Sequence, residues 1–379
     1  MLKDTLFTRL EPDRTGVHFM NTLTYDEGFN VYLFRGFYNG AGVGLGDVNN
    51  DGMLDLFFCG NKADNQLLIH KGDFRFHDIT QAAGVASQDA WSTGVSMVDI
   101  NSDGWLDIYV CKSGLPEGEN RRNELFINNG IQVGQDYPSF TEAAEDYGIA
   151  DLGFWVHAVF FDFDKDGDLD MYLSNNSIVP TDAIMDATMG LRERRDPFGG
   201  NKLYRNDGTP TSLGGKGTGF SDISEEAGIY GSAIGFGLGV SIGDVNRDGW
   251  PDIFVANDFF EKDYLYMNQG DGTFKESLED VMDEISAGSM GVDIADVNND
   301  GFPEIFVTEM LPEEEGRLKT KAVIDSWDNY VSKVRMGYYR QFPRNAFQLN
   351  NGLAGDQVHF SEIGRFSGVE ATDWSWGAL

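Results

Sequence analysis

Asp47-Val48-Asn49-Asn50-Asp51-Gly52-Met53-Leu54-Asp55 carries oxygen-bearing side chains at its first, third, fifth and ninth positions and glycine at its sixth. Four more stretches repeat it: Asp99-Ile-Asn101-Ser-Asp103-Gly-Trp105-Leu-Asp107, Asp162-Phe-Asp164-Lys-Asp166-Gly-Asp168-Leu-Asp170, Asp244-Val-Asn246-Arg-Asp248-Gly-Trp250-Pro-Asp252 and Asp296-Val-Asn298-Asn-Asp300-Gly-Phe302-Pro-Glu304. This spacing gathers hard oxygen ligands around one point, and the glycine permits the sharp turn between them. A cation of the calcium type suits such a set. The expected ligands are the side chains at positions 1, 3, 5 and 9 and the main-chain carbonyls of Met53, Trp105, Asp168, Trp250 and Phe302 at position 7, with water completing the shell. An ordinary Asn/Asp/Gly hairpin turn accounts for one Asp-Gly pair. It does not account for the same offsets in five copies. The third loop is the most acidic, and Glu304 has a longer arm than the aspartates it replaces.

A helix-loop-helix calcium site needs a bidentate glutamate at position 12. Here that position holds Phe58, Val110, Leu173, Val255 and Val307, none of which can ligate. The runs that follow each loop, such as Leu106-Asp-Ile-Tyr-Val-Cys111 and Pro251-Asp-Ile-Phe-Val-Ala256, are rich in branched and aromatic residues at strand length. Each loop is therefore read as the connection of a β-hairpin.

Around the loops a longer unit repeats. A strand with small residues precedes each loop, as in Gly42-Val-Gly-Leu-Gly46 and Gly239-Val-Ser-Ile-Gly243. A third strand ends in an Asn/Gly turn, as in Leu125-Phe-Ile-Asn-Asn-Gly130 and Phe347-Gln-Leu-Asn-Asn-Gly352. A fourth element follows, as in Phe220-Ser-Asp-Ile-Ser leading to Ala227-Gly-Ile229, with the copy at Phe274 the weakest. Four strands per unit of 50 or more residues describe a blade, and the predicted fold is an all-β propeller. Residues 1–379 are read as one propeller domain, with blades starting near 38, 90, 154, 235 and 287. Residues 5–20 match the fourth element and are expected to be an outer strand. Residues 374–379 match the first strand of a further blade. The ring is accordingly expected to be incomplete, the chain being part of a longer protein of about seven blades.

The net charge of −34 argues against nucleic acid and anionic membrane surfaces as partners, and 17 of the 62 acidic residues lie in the five loops. No run reaches the length of a membrane-spanning helix. Millimolar calcium points to an extracellular, cell-surface or periplasmic setting, though the first ten residues lack the apolar centre of a signal peptide. Cys59 and Cys111 stand at the same offset after loops 1 and 2, and read as small buried strand residues rather than a disulfide. Insertions at 175–200, containing Arg192-Glu-Arg-Arg195, and at 311–345, containing Trp327 and Tyr330, either carry binding or cover the scaffold.

The Gly-Val-x-x-x-Asp-x-Asn-x-Asp-Gly-x-x-Asp text, with the Asn-Asn-Gly and Phe-x-Asp/Glu elements, resembles the FG-GAP/VCBS repeat family, whose calcium-loop blades also occur in integrin alpha-subunit heads. Tyr38-Asn-Gly-Ala-Gly42 and Arg344-Asn-Ala-Phe-Gln-Leu-Asn-Asn-Gly352 are similar to bacterial multi-repeat proteins related to cartilage acidic protein, which usually carry an ASPIC/UnbV segment further along. No such segment is visible here. The resemblance implies calcium in about five sites. It also implies a secreted or surface protein, often lipid-anchored, used for adhesion or as a scaffold with a protein or glycan ligand.

Catalytic constellations are not found. His18, His70, His77, His157 and His359 are scattered without zinc spacing, and Gly214-Gly-Lys-Gly-Thr218 lacks the offsets of a phosphate loop. The expected function is non-catalytic binding. A second reading is a carbohydrate-active propeller, a polysaccharide lyase or its sugar-binding part. Its site would lie at the axial mouth near His157 and Trp155, which equally read as a packed structural pair.

Overall fold

The computed structural model describes residues 7–114, 120–177, 185–196, 198–321, 326–355 and 357–378. Among them the recurring unit is a four-stranded antiparallel sheet in simple first-to-fourth order, present five times. Blade 1 is β1 (Val43–Gly46), β2 (Asp55–Phe58), β3 (Gln66–His70) and β4 (Phe76–Asp78). Blade 2 is β5 (Ser92–Val98), β6 (Asp107–Lys112), β7 (Glu124–Asn128) and β8 (Phe140–Glu142). Blade 3 is β9 (Trp155–Phe161), β10 (Asp170–Asn175), β11 (Lys202–Asn206) and β12 (Phe220–Asp222), and blade 4 is β13 (Gly237–Gly243), β14 (Asp252–Asn257), β15 (Tyr264–Asn268) and β16 (Phe274–Glu276). A short parallel pair joins β17 (Ile285–Ser286) to β20 (Gln341–Phe342). Blade 5 is β18 (Val292–Ala295), β19 (Glu304–Val307), β21 (Ala346–Ala354) and β22 (Gln357–Glu362). The chain is thus all-β, of the propeller-blade class, with each acidic loop joining first and second strands.

By internal contacts the chain divides into two compact units, Met1–Leu152 with Thr209–Gly215, and Gly153–Gly208 with Lys216–Leu379. The first holds blades 1 and 2. Its core lies between them, where Phe57, Leu67 and Ile69 meet Val95, Ile108 and Val110. The second holds blades 3 to 5, with one core containing Tyr172, Leu203, Ile253 and Tyr266 and another containing Phe254, Leu265, Ile305 and Val307. Middle strands β6, β10 and β14 are buried along their whole length because apolar side chains cover both faces. The apolar residue at position 2 of a loop belongs to these cores: Val48, Phe163 and Val245 are all buried. Its counterpart in blade 5, Val297, is 59% exposed.

The small residues of the first strands answer a close approach between blades. A Cβ on Gly239 would lie 2.6 Å from the Met290 carbonyl oxygen, and one on Gly42 would lie 2.8 Å from that of Thr93. Gly291 stands in the same relation to Trp376, whose carbonyl oxygen such a Cβ would meet at 2.7 Å. Residues 374–378 therefore lie against blade 5 as a first strand does, although no strand is assigned there. At the other end no strand is assigned among residues 7–20. The segment expected to be an outer strand contains one helical turn, α1 (Pro12–Thr15). Its Gly16 nonetheless meets the Phe76 carbonyl as Gly228 meets that of Phe274, at 2.7 and 2.8 Å for an added Cβ.

The fourth elements close with the short turns α2 (Thr80–Ala83), α3 (Ala144–Tyr147) and α4 (Leu278–Val281); α5 (Glu315–Lys321) and α6 (Trp327–Arg335) belong to the second insertion, and α7 (Gly364–Ser367) ends blade 5. The turns α2, α3 and α7 stop at a left-handed glycine. α4 stops at Met282 in extended conformation, which is why its sequence copy reads as weak. Cys59 and Cys111 are buried free thiols.

Successive blades are also tied by asparagine. Asn128 and Asn268 close their third strands and Asn350 stands at the register shift within β21, and each Nδ2 donates at 2.9 Å to the position-2 carbonyl of the preceding loop, on Val48, Phe163 and Val245. The same amides donate to position 8 of their own loop, and their Oδ1 atoms accept the N–H of the glycine two residues on. These buried groups are satisfied only by one another. Asn268→Ala is therefore expected to destabilise the protein by about 2–3 kcal/mol in urea unfolding. A loss below about 0.5 kcal/mol, the ordinary scatter of surface changes, would mean that water replaces the tie.

Candidate metal centres

Each loop folds around its first carboxylate. The position-5 amide donates to the side-chain oxygens of positions 1 and 3, at 3.1 and 3.1 Å in loop 1 and 3.1 and 3.3 Å in loop 3. The position-6 amide donates to the other oxygen of position 1, and the position-7 amide to the carboxylate of position 5. Loops 2, 4 and 5 repeat the pattern around Asp99, Asp244 and Asp296. The turn needs left-handed backbone twice. Position 6 is glycine with φ from 85° to 98°, while position 4 is Asn50, Ser102, Lys165, Arg247 or Asn299 with φ of 56° to 61°. The second requirement is not apparent in the sequence, since position 4 varies.

The loops differ at position 3. In loops 1, 2 and 4 the amide of Asn49, Asn101 or Asn246 donates to the carboxylate of Asp51, Asp103 or Asp248 at 2.8–3.0 Å. In loop 3 the residue is Asp164, and carboxylate oxygens of Asp162, Asp164 and Asp166 lie within 4.8 Å of one another. Burial and the charges of Asp166 and Asp162 raise the Asp164 pKa. Arg205 offsets this repulsion only in part; three anionic oxygens drawn together are what a divalent cation would hold, and the donor set is all oxygen. The residues fit calcium.

Position 9 has a second task. Asp170 Oδ2 accepts from the Phe163 amide at 3.1 Å and Oδ1 from the Asn206 amide at 2.8 Å. Asp55, Asp107 and Asp252 make the same pair of bonds, to Val48 and His70, Ile100 and Asn128, and Val245 and Asn268. Each of these carboxylates pins its loop to the third strand. Burial pushes Asp55 up to about 6 and Asp107, Asp170 and Asp252 up to about 7; the carboxylates at positions 1 and 5 add to this for Asp55, Asp107 and Asp252, and Asp164 and Asp166 do so for Asp170, while the two amides oppose it. Glu304 departs from the set. It accepts from Val297 N–H and from the Asn298 side chain at 3.0 Å.

At position 7 the aromatic side chains pack on the turn that ends the third strand. A Cβ on Gly130, Gly270 or Gly352 would meet Trp105, Trp250 or Phe302 at 3.0, 2.8 and 3.3 Å. Met53 and Asp168 stand there in loops 1 and 3.

His157 and Trp155 sit on β9. Trp155 is buried against Gly153, so it packs in the fold rather than lining an open site. His157 pairs in register with Ser174, and burial lowers its pKa below the ordinary value, keeping the imidazole neutral at pH 7. A concavity that the sequence does not reveal lies in the first unit. It measures about 420 Å³ and is lined by Phe29, Trp91, Asn61, Lys62 and Asn120 among others. Trp91 there is enclosed by Phe29, Phe34 and Phe37, with ring centroids 4.9–5.4 Å away.

Two classes of loop carboxylate follow from these bonds. Asp252→Ala leaves two backbone amides without acceptors and is expected to destabilise by about 2 kcal/mol or more with calcium or with chelator. Asp164→Asn removes repulsion from Asp166 and Asp162 that outweighs its attraction to Arg205. It is expected to stabilise the chelated protein slightly and to weaken protection by calcium. Equal behaviour of the two variants in calcium and chelator melts would refute the division.

The sequence profile of the FG-GAP-like repeat family matches residues 47–110 and 244–307. These segments contain loops 1, 2, 4 and 5, the four with asparagine at position 3. Cartilage acidic protein 1 of Xenopus tropicalis is 28% identical over 204 residues, covering 54% of this chain and 29% of that protein. Its Mus musculus counterpart is 24% identical over 290 residues, covering 70% and 39%. Homo sapiens integrin alpha-7 is 39% identical over 84 residues, covering 19% and 7%. The chain thus spans well under half the length of these relatives. By its repeat text, its blades and these matches, the chain carries FG-GAP-like repeats in two segments and is similar to cartilage acidic protein 1 and integrin alpha chains.

Proposed function

We propose that this protein is a calcium-stabilised extracellular scaffold that binds a protein or glycan ligand without catalysing a reaction. The observation that carries the reading is the fivefold recurrence of the oxygen-lined loop, with three carboxylates converging in loop 3. Calcium in these loops would be held by Asp47, Asn49, Asp51 and Asp55 and their equivalents, with the position-7 carbonyl. It would supply the counter-charge that the position-1, -5 and -9 carboxylates lack. The relationship to integrin alpha chains and cartilage acidic protein 1 supports a binding or adhesion role. No helix among the described residues is long and apolar enough to cross a membrane. The aromatic concavity around Trp91 is a place for ligand contact on the first unit. The carboxylates of the loops make poor general acids once a cation keeps them ionised.

Binding free energy at these loops becomes folding free energy, about 2.7 kcal/mol per site at a hundredfold excess over Kd. Thermal unfolding followed by circular dichroism is expected to show a melting temperature lower by about 10 °C or more in chelator. Calcium, and not magnesium, should restore it. An unchanged melting temperature would remove the calcium scaffold. Turnover of an acidic polysaccharide that His157→Ala abolishes would replace the non-catalytic reading with an enzymatic one.

A further inference from the structure

In loops 1, 3 and 4 the residue at position 4, whose backbone is left-handed, reaches the next loop. Asn50 Nδ2 donates to the carbonyl of Gly104, position 6 of loop 2, at 3.0 Å. Lys165 of loop 3 places its ammonium 4.0 Å from the ring centroid of Trp250, position 7 of loop 4. Arg247 of loop 4 places its guanidinium 4.8 Å from the ring centroid of Phe302, position 7 of loop 5. Three different side chains thus make one contact, from position 4 of a loop to position 6 or 7 of its successor.

The receiving end matters chemically. Position 7 is where the main-chain carbonyl is expected to face the cation. In loops 4 and 5 its aromatic ring is held on one side by the glycine of the third-strand turn, Gly270 or Gly352, and also receives the cationic side chain of the preceding loop. The giving end depends on its own loop being closed, since the left-handed turn at position 4 is enforced by the bonds around position 1. In loop 3, Asp162, Asp164 and Asp166 repel one another, so a cation among them would favour that closure.

We propose that Lys165 and Arg247 are positioning residues that couple neighbouring cation sites, so that loading loop 3 tightens loop 4 and loading loop 4 tightens loop 5. Asn50 does the same from loop 1 to loop 2. The proposal rests on the calcium reading above. By linkage the coupling is reciprocal: loading loop 4 tightens loop 3 by the same factor. Its size is set by an exposed cation–π contact, about a two- to fivefold change in affinity.

Terbium, which occupies calcium sites and luminesces when a nearby tryptophan is excited, gives the test. The signal lost in Trp250→Phe reports loop 4. In the parent protein, disabling loop 3 by Asp162→Asn with Asp166→Asn is expected to move the loop 4 midpoint to about two- to fivefold higher terbium. In Lys165→Ala the midpoint should no longer depend on loop 3, and Lys165→Arg should restore the dependence. Simple charge repulsion between Lys165 and a cation in loop 4 shifts the midpoint equally whether or not loop 3 can load, so this cycle separates it from coupling. A midpoint indifferent to loop 3 in the parent, or equally dependent on it in Lys165→Ala, overturns the proposal. Absence of any Trp250-dependent terbium signal overturns the calcium reading along with it.

Discussion

A buried carboxylate that accepts two backbone amides is the constraint on which each of the first four blades depends. Asp55, Asp107, Asp170 and Asp252 join the start of the acidic loop to the third strand, across the second strand that carries them. An ionised group in that position is costly, which the upward shifts to about 6 or 7 express. The amides offset part of the cost. On the calcium reading, a cation facing the same carboxylates would supply the rest, and structure and ion affinity would then draw on one side chain. Removing the charge by mutation and removing the ion by chelation therefore act on different parts of one arrangement.

The third-strand asparagine extends this constraint from a blade to its neighbour. Asn128, Asn268 and Asn350 each bridge to the preceding loop at position 2, the residue that enters the interblade core. Loop, third strand and core thereby share atoms, and blades in a unit cannot shift independently without breaking buried hydrogen bonds. His70 stands at this place in blade 1 and stacks on Phe76 at 4.8 Å instead. Histidine there cannot reproduce the amide pair of contacts.

The period, the strand order and the loop-strand boundaries were legible because the motif fixes turn chemistry and flanking hydrophobicity together. Asp47 to Glu304 could be located without a structure, and so could the crowding that demands Gly42 and Gly239. The clamp role of Asp55 and its equivalents was not legible, since a carboxylate that ligates and one that accepts amides are the same letter. Nor was the left-handed position 4, where Asn, Ser, Lys and Arg alternate; its signal is geometric. The N-terminal segment reads like a fourth strand, yet a strand needs a partner ladder, and among residues 7–20 only the helical turn and Gly16 keep their places. The concavity at Trp91 gathers residues from separated stretches, which no local pattern reports.

The insertions show how packing decides between two readings that the sequence leaves level. Arg192 of the first insertion forms a bidentate pair with Glu261, which is fully buried, and also donates to the carbonyl of Gly337 in the second. Tyr338 donates to the Met185 carbonyl, and Ala187 N–H to that of Met336. Residues 178–184 and 197 of the first insertion and 322–325 of the second lie outside the described residues. The two insertions are therefore folded on each other and on blade 4, through a charge pair whose desolvation makes it weak as a source of stability. Its value is register: only one docking of the two segments brings Arg192, Glu261 and Gly337 together. Covering the scaffold accounts for this inner side. Trp327 remains 74% exposed and stacked on Tyr330, so the outer side of the same insertion retains the chemistry of a contact surface, held in place by the buried pair beneath it.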